Sequence, residues 1–252
     1  MLCQTVYREG DHRWLAFGQD PDRPDNIVDT NQFVVDAGGT AILVDPGGIE
    51  IFPAMLGALS AKLPLESIRH ILLSHQDPDI GSSLPLWREV CRPDVTIHIS
   101  WLWTSFVSHF DGEAKLTAIP DAGGEIKLAN DVVLQIIPAH FLHSPGNFHL
   151  YDPKARILFS ADVGASLVPK RVRNSIYVEE FSSHIPYMEQ WHRRAMGSER
   201  ARDAWLSRVS RLDVRILAPQ HGLLLRGDDV QRFYDWFGRL PIGDGIDAIR
   251  NG

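Results

Sequence analysis

Apolar residues along this chain gather in short runs that alternate with turn residues and with longer stretches of helical spacing. Residues 12–18 (HRWLAFG) read as a strand. Phe33-Val34-Val35 and Ile42-Leu43-Val44 flank Ala37-Gly38-Gly39-Thr40, a pattern that predicts a hairpin. Residues 52–63 (FPAMLGALSAKL) look helical. Ile71-Leu72-Leu73 reads as a buried strand that ends in a polar turn, with a helix starting near Ser82 or Ser83 as its N-cap. The strand signature returns at 94–99, 132–137 and 156–160. Helical patterns follow at roughly 185–208 and 228–238, with a strand at 214–218 between them. Strands and helices alternate throughout, which favours a layered α/β architecture over an all-β sandwich. With no internal repeat and no low-complexity linker, a single domain over residues 1–252 is expected.

The polar residues are placed unevenly on this frame. Asp45, His75 with Asp77 and Asp79, His143, Asp162 and His221 each follow an apolar strand-like run. In a layered α/β domain the C-terminal ends of strands converge on one edge, where sites are built. Singly, each has an ordinary explanation: a turn cap, a helix N-cap, a satisfied core histidine, or the bland turn Asp77-Pro78-Asp79. Together they predict a metal site. Imidazole and carboxylate donors without thiolate suit Fe, Mn or Zn rather than an iron–sulfur cluster. The spacing H-x-D-x-D on one loop can serve two ions, because its two carboxylates would repel unless cations lay between them.

Composition narrows the field of partners. The 44% hydrophobic and 23% charged residues match a globular protein, and the net charge of −7 argues against nucleic acid. Lys170, Arg171 and Arg173, and the pair Arg193 and Arg194, read best as solvated or salt-bridged surface. Cys3 and Cys91 are too few for a disulfide framework, a CxxC pair or a thiolate site, so a reducing cytoplasm is the simplest compartment. The N-terminus does not look like a signal peptide, and no run approaches the roughly 18 apolar residues of a membrane span.

Four runs carry a family resemblance: His75-Gln76-Asp77-Pro78-Asp79, Leu142-His143-Ser144-Pro145-Gly146-Asn147-Phe148, Phe159-Ser160-Ala161-Asp162-Val163-Gly164 and Ala218-Pro219-Gln220-His221-Gly222. They resemble the successive metal motifs of the flavodi-iron proteins, in the metallo-β-lactamase superfamily, and of the oxygen-binding di-iron proteins that lack the fused flavodoxin. The resemblance spans roughly residues 26 to 240 and takes in Asn31-Gln32-Phe33, Asp45-Pro46-Gly47-Gly48 and His184 through Met196. It implies a metallo-β-lactamase-like αββα sandwich and two iron ions joined by an oxo or hydroxo bridge, with Zn or Mn as the alternative and no FMN in this chain. The family pattern assigns His75, Asp77 and His143 to one iron, Asp79 and His221 to the other, and Asp162 to the bridge. Hydrolytic relatives usually carry His where this chain has Asp77, an exchange that adds negative charge and favours iron. Where the family often has a further His, this chain has Ile80.

The resemblance implies a protein that binds O2 or NO, as a sensor or carrier, or as a reductase fed by a separate electron donor. The alternative is a hydrolase of the same fold acting on a thioester, lactone or phosphoester through a metal-bound hydroxide. A third reading is an interaction protein whose metal is structural. Asp45 is expected to orient a ligating imidazole; His140, His149, His184, His192, Tyr7 and Tyr177 are further candidates. Trp101, Trp103 and Phe106 are expected to be core, with a cover over the site or a homodimer contact as the alternatives.

Overall fold

The computed structural model describes residues 1–20, 24, 26–170 and 175–251. Arg171 and Arg173 lie outside the described residues. The fold is mixed α/β, and the described residues form two sheets of seven and six strands. The chain divides into two compact units, residues 1–136 and 137–252.

The first unit opens with β1 (Leu2–Glu9), β2 (His12–Gly18), β3 (Gln32–Ala37) and β4 (Thr40–Val44), each antiparallel to the next. The predicted hairpin is β3–β4: Val35 faces Ile42, and Gly38 and Gly39 both take positive φ, at 60° and 85°. Such a two-residue turn matches strand twist only when both central residues reach that region, which glycine does without a Cβ penalty. From β4 the connections become parallel crossovers. Helix α1 (Phe52–Ser60) leads to β5 (Ile68–Leu72). Short α2 (Pro78–Gly81) and α3 (Leu84–Val90) lead to β6 (Thr96–Ser100), and α4 (Thr104–Val107) leads to β7 (Leu116–Ile119). Hairpin β8 (Gly124–Lys127) and β9 (Val133–Pro138) follows.

Met55 and Leu59 of α1, Leu84 and Trp87 of α3 and Val107 of α4 pack with Leu15, Val34, Leu43, Ile71 and Ile97 in one core. Trp87 is wholly buried, meets Phe52 edge to face at 5.1 Å, and donates its indole N–H to Pro46 O at 3.3 Å. Ser83 stands before α3 as expected, but its hydroxyl donates to Gly47 O at 2.6 Å rather than capping the helix. The expected core role is overturned for Trp101, 51% exposed, and Phe106, 58% exposed, whereas half-buried Trp103 packs against the first core. Beyond β6 the chain turns outward into a helical segment that buries Val107 alone, and Trp101 Nε1 donates to Asp121 at 2.6 Å.

In the second unit, β10 (Phe148–Asp152) pairs antiparallel with β11 (Ile157–Phe159). Two helices, α5 (Phe181–Ala195) and α6 (Glu199–Val209), cross over to β12 (Ile216–Ala218), parallel to β11. β13 (Leu225–Arg226), α7 (Asp228–Arg239) and α8 (Ile246–Asn251) complete it. The helical stretch expected over 185–208 is thus two helices broken at Met196-Gly197-Ser198, where the Ser198 hydroxyl caps α6 by accepting from Ala201 N at 3.1 Å. Val230, Phe233, Tyr234 and Phe237 recur at helical spacing on α7 and join Met188, Trp205, Leu158 and Leu217 in the second core. Arg193 and Arg194 are engaged by Asp244, as surface pairing predicts.

Two outcomes are expected from this packing. Trp87→Ala removes a large buried ring and a hydrogen-bond donor, and denaturant titration should show a loss of about 3–5 kcal/mol. The second concerns His70 and His98, whose Nδ1 and Nε2 lie 3.1 Å apart across β5 and β6. Burial, then the neighbouring His70, pushes the His98 pKa down to about 4; burial also lowers that of His70. The unfolded histidines, near 6.5, bind more protons in this window than the folded ones. Their contribution is therefore whole above about pH 6.5 and is lost as pH falls toward about 4. The urea midpoint should drop over that range, and His98→Gln should flatten the drop; a variant with the wild-type pH profile would contradict the assignment.

Candidate metal centre

The candidate ligands stand where strands end. In the first unit Leu73 still donates to His98 O at 2.9 Å, so the sheet carries on one residue past β5 before the backbone turns at Ser74. Asp45, at the end of β4, is wholly buried. Its Oδ1 accepts the Ser74 N–H at 2.7 Å and its Oδ2 accepts the Ser74 hydroxyl at 2.6 Å. Ser74 Oγ lies 2.9 Å from His75 Nδ1. With the hydroxyl hydrogen committed to Asp45, Oγ accepts from Nδ1–H, which leaves the His75 lone pair on Nε2. That nitrogen is 3.5 Å from Asp77 Oδ2, while Asp77 Oδ1 accepts from the Gln76 amide at 3.0 Å. Pro78 opens α2 and sets Asp77 in an extended conformation before it, with half-buried Asp79 in the first turn.

In the second unit Asp162 follows β11 and is 2% exposed. His143 Nε2 lies 2.7 Å from its Oδ2, and His221 Nε2 lies 3.2 Å from its Oδ1. The Asp162 turn is held from three sides. Ser160 Oγ donates to Val163 O at 2.6 Å, Gln220 N donates to Ala161 O at 2.8 Å, and Gly164 N donates to His192 Nε2 at 2.9 Å. The His221 loop is locked by Gly222 at φ +82°, where a Cβ would collide with the hydroxyl and carbonyl of Ser166. The His143 loop is closed by the Asn147 side-chain amide, which donates to Leu142 O.

The donor set suits a cation. Two imidazoles aim Nε2 at the two oxygens of one buried carboxylate, a burial that is costly unless positive charge meets it, and nitrogen and oxygen donors facing one another in this way are the set a metal ion takes.

The other candidates divide. Asp45 takes the orienting role expected of it. His192, wholly buried, donates from Nδ1 to Met188 O at 2.8 Å and accepts from Gly164 on the other side; burial pushes its pKa down to about 4. It braces the Asp162 turn as a neutral ring. His149 Nδ1 accepts from Trp205 Nε1 at 3.1 Å, and His140 packs edge to face on Phe148 at 5.1 Å. Burial pushes His184 to about 4. Tyr7 donates to Glu9 at 3.1 Å and Tyr177 lies under the Arg226 guanidinium at 4.2 Å. Trp191 escaped the sequence reading: its ring stands edge-on to His143 at 5.7 Å and to His221 at 6.5 Å. A tryptophan beside His192 in the family-like 184–196 segment was the available signal.

Residues 28–222 match the model of the family described as ODP family beta lactamase. Two solved structures of a chemotaxis sensor ODP, one of a peroxy diiron species and one of the apo state from T. denticola, are each 34% identical to this chain with a TM-score of 0.87. The first covers 100% of this chain and 99% of its own, the second 99% and 98%. A flavo di-iron protein from Thermotoga maritima, 21% identical, has a TM-score of 0.80 over 94% of this chain and 60% of its own, a likeness of fold. Among curated proteins, a putative diflavin flavoprotein A 2 from Synechocystis sp. is 26% identical over 198 residues, 78% of this chain and 33% of the relative. The chain spans about a third of the length of the curated relatives it matches. With a family model matched over most of its length and the fold of the ODP sensor, this chain belongs to the ODP family of beta-lactamase-fold proteins.

Proposed function

We propose that this protein binds O2 at a non-haem di-iron centre held by His75, Asp77, Asp79, His143, Asp162 and His221, and that it acts as an O2 sensor. One observation carries the reading: Asp162 is buried with an imidazole Nε2 against each of its oxygens. A carboxylate so placed can hold one metal on each oxygen. Asp162 would then hold both irons, with His75, Asp77 and His143 as the residues that would hold one and Asp79 and His221 the other. The 34% identity to a chemotaxis sensor whose solved forms include a peroxy diiron species supports both the metal and the ligand.

When bound and reduced, the two irons supply the electrons on which O2 uptake draws. The chain's own residues set the terms. Asp45, acting through Ser74, fixes the His75 tautomer and the direction of its lone pair. His192 and the Gln220 backbone hold the Asp162 turn. Asp77 contributes an anionic oxygen that favours iron in its ferric state, where a zinc hydrolase would gain from a neutral imidazole. Trp191 screens His143 and His221 on one side. Electrons come from a separate donor, and NO is a second diatomic of the right size. Among the described residues no helix is long and apolar enough to cross a membrane, and Cys3 and Cys91 are free thiols, which suits a reducing cytoplasm.

Metal analysis of protein expressed with iron should give about two irons per chain, with a near-ultraviolet band that bleaches on anaerobic reduction and returns with O2. Zinc alone, with no redox-dependent band after iron reconstitution, would defeat the reading. Asp45→Asn keeps the shape of the side chain and removes its charge, and should weaken iron affinity by about 10–100-fold against a competing chelator. Unchanged affinity would remove Asp45 from the centre.

A further inference from the structure

A second feature of the 137–252 unit is a cavity of about 510 Å³ lined by the loop Pro138–Phe141 and by one face of α6. Its volume is that of a small-molecule site. Ala201, Ala204, Trp205 and Arg208 recur at helical spacing on that face. The two alanines leave the space open, and Trp205, 3% exposed, lines it with a buried ring. Phe141, held at φ +65°, is 54% exposed.

Charge says what would enter. Arg200 and Arg208 both line the cavity, eight residues apart and thus roughly 12 Å along the helix. Neither meets a carboxylate among the described residues. The other described arginines of helices α3, α5 and α6 are mostly engaged: Arg88 by Asp111, Arg193 by Asp244, Arg202 by Asp203 and the Leu240 carbonyl. In a chain of net charge −7, two guanidinium groups that meet no described carboxylate and line a largely apolar cavity complement an anion with an apolar body.

The cavity also shares its wall with the centre. Ala139, His140 and Phe141 precede His143 in one tight loop, tied by Leu142 N to Ala139 O at 3.0 Å and Phe141 N to Ser144 O at 2.8 Å. Trp205 donates to His149, which lies 3.5 Å from Asn147, the residue that clamps the Leu142 carbonyl.

We propose that this cavity binds a small organic anion with a flat apolar body, a carboxylate, sulfonate or phosphate, and that occupancy is coupled to the metal centre through the His143 loop. The coupling rests on the di-iron reading; the binding site does not.

The probe is anilinonaphthalene sulfonate, titrated by fluorescence into iron-free and iron-loaded protein beside its uncharged analogue, phenylnaphthylamine. One sulfonate dye per chain should bind, with affinity reduced about tenfold or more in an R200Q/R208Q double variant, because charge-assisted contacts are lost. Ala204→Trp should fill the space and abolish binding, with the circular dichroism spectrum showing that the variant still folds. Equal affinity for the uncharged dye, or wild-type affinity in the double variant, would overturn the site. Iron loading should change the sulfonate affinity about threefold or more; equal affinity in both forms overturns the coupling. A chain that takes up no iron speaks against the di-iron reading alone, since arginine-dependent binding is measured in iron-free protein.

Discussion

Asp162 is a carboxylate taken out of water with an imidazole nitrogen against each of its two oxygens. An ionised carboxylate that is buried must be met by positive charge, by hydrogen-bond donors or by metal, because the cost of leaving it bare exceeds the net stability of most domains. Much of the 137–252 unit reads as a response to that demand. The turn around Asp162 is braced by Ser160, by the Gln220 backbone and by His192, and His192 is itself seated among Phe233, Trp236 and Phe237. The aromatic face of α7 thereby does two things at once. It buries apolar area, and it holds a neutral imidazole in the tautomer that accepts from Gly164.

The first unit meets the same kind of demand with different chemistry. Asp45 is buried as deeply as Asp162, but both its oxygens are occupied by Ser74, through one backbone and one hydroxyl donor. It is spent on orientation. What its oxygens touch therefore separates a carboxylate that orients a neighbour from one that faces imidazole nitrogens, as a candidate metal ligand does.

That distinction explains which parts were legible in the sequence. The β3–β4 hairpin was readable because Gly38-Gly39 between two β-branched runs is a local signal with a local cause. The candidate ligands stood out because each stands just past an apolar run, and strand ends are local too. The break at Met196–Ser198 was not, since helical spacing continues through it and only the Ser198 cap marks the interruption. The roles of His149 and His192 were out of reach for a stronger reason: each depends on Trp205 or Gly164, residues 56 and 28 positions away. Trp101 and Phe106 misled because burial of aromatics is a tendency of composition, whereas their exposure follows from where β6 ends.

Ile80 shows how far a family pattern can be carried. By resemblance the position often carries a His, and an Ile that cannot ligate reads at first as a simple subtraction from the donor set the resemblance implies. The packing describes something else. Ile80 is wholly buried in the core formed by Leu84, Trp87, Leu73 and Val107, and its carbonyl accepts from Gly47 N at 2.9 Å. Its side chain is part of what fastens α2 to the sheet. Placing an imidazole there would put a polar ring into an apolar core, at a cost of the same order as a lost core residue. The difference at position 80 is thus an exchange of roles. One face of a four-residue helix supports the fold through Ile80, and Asp77 and Asp79 on either side of Pro78 remain as the carboxylates that this loop can offer a metal.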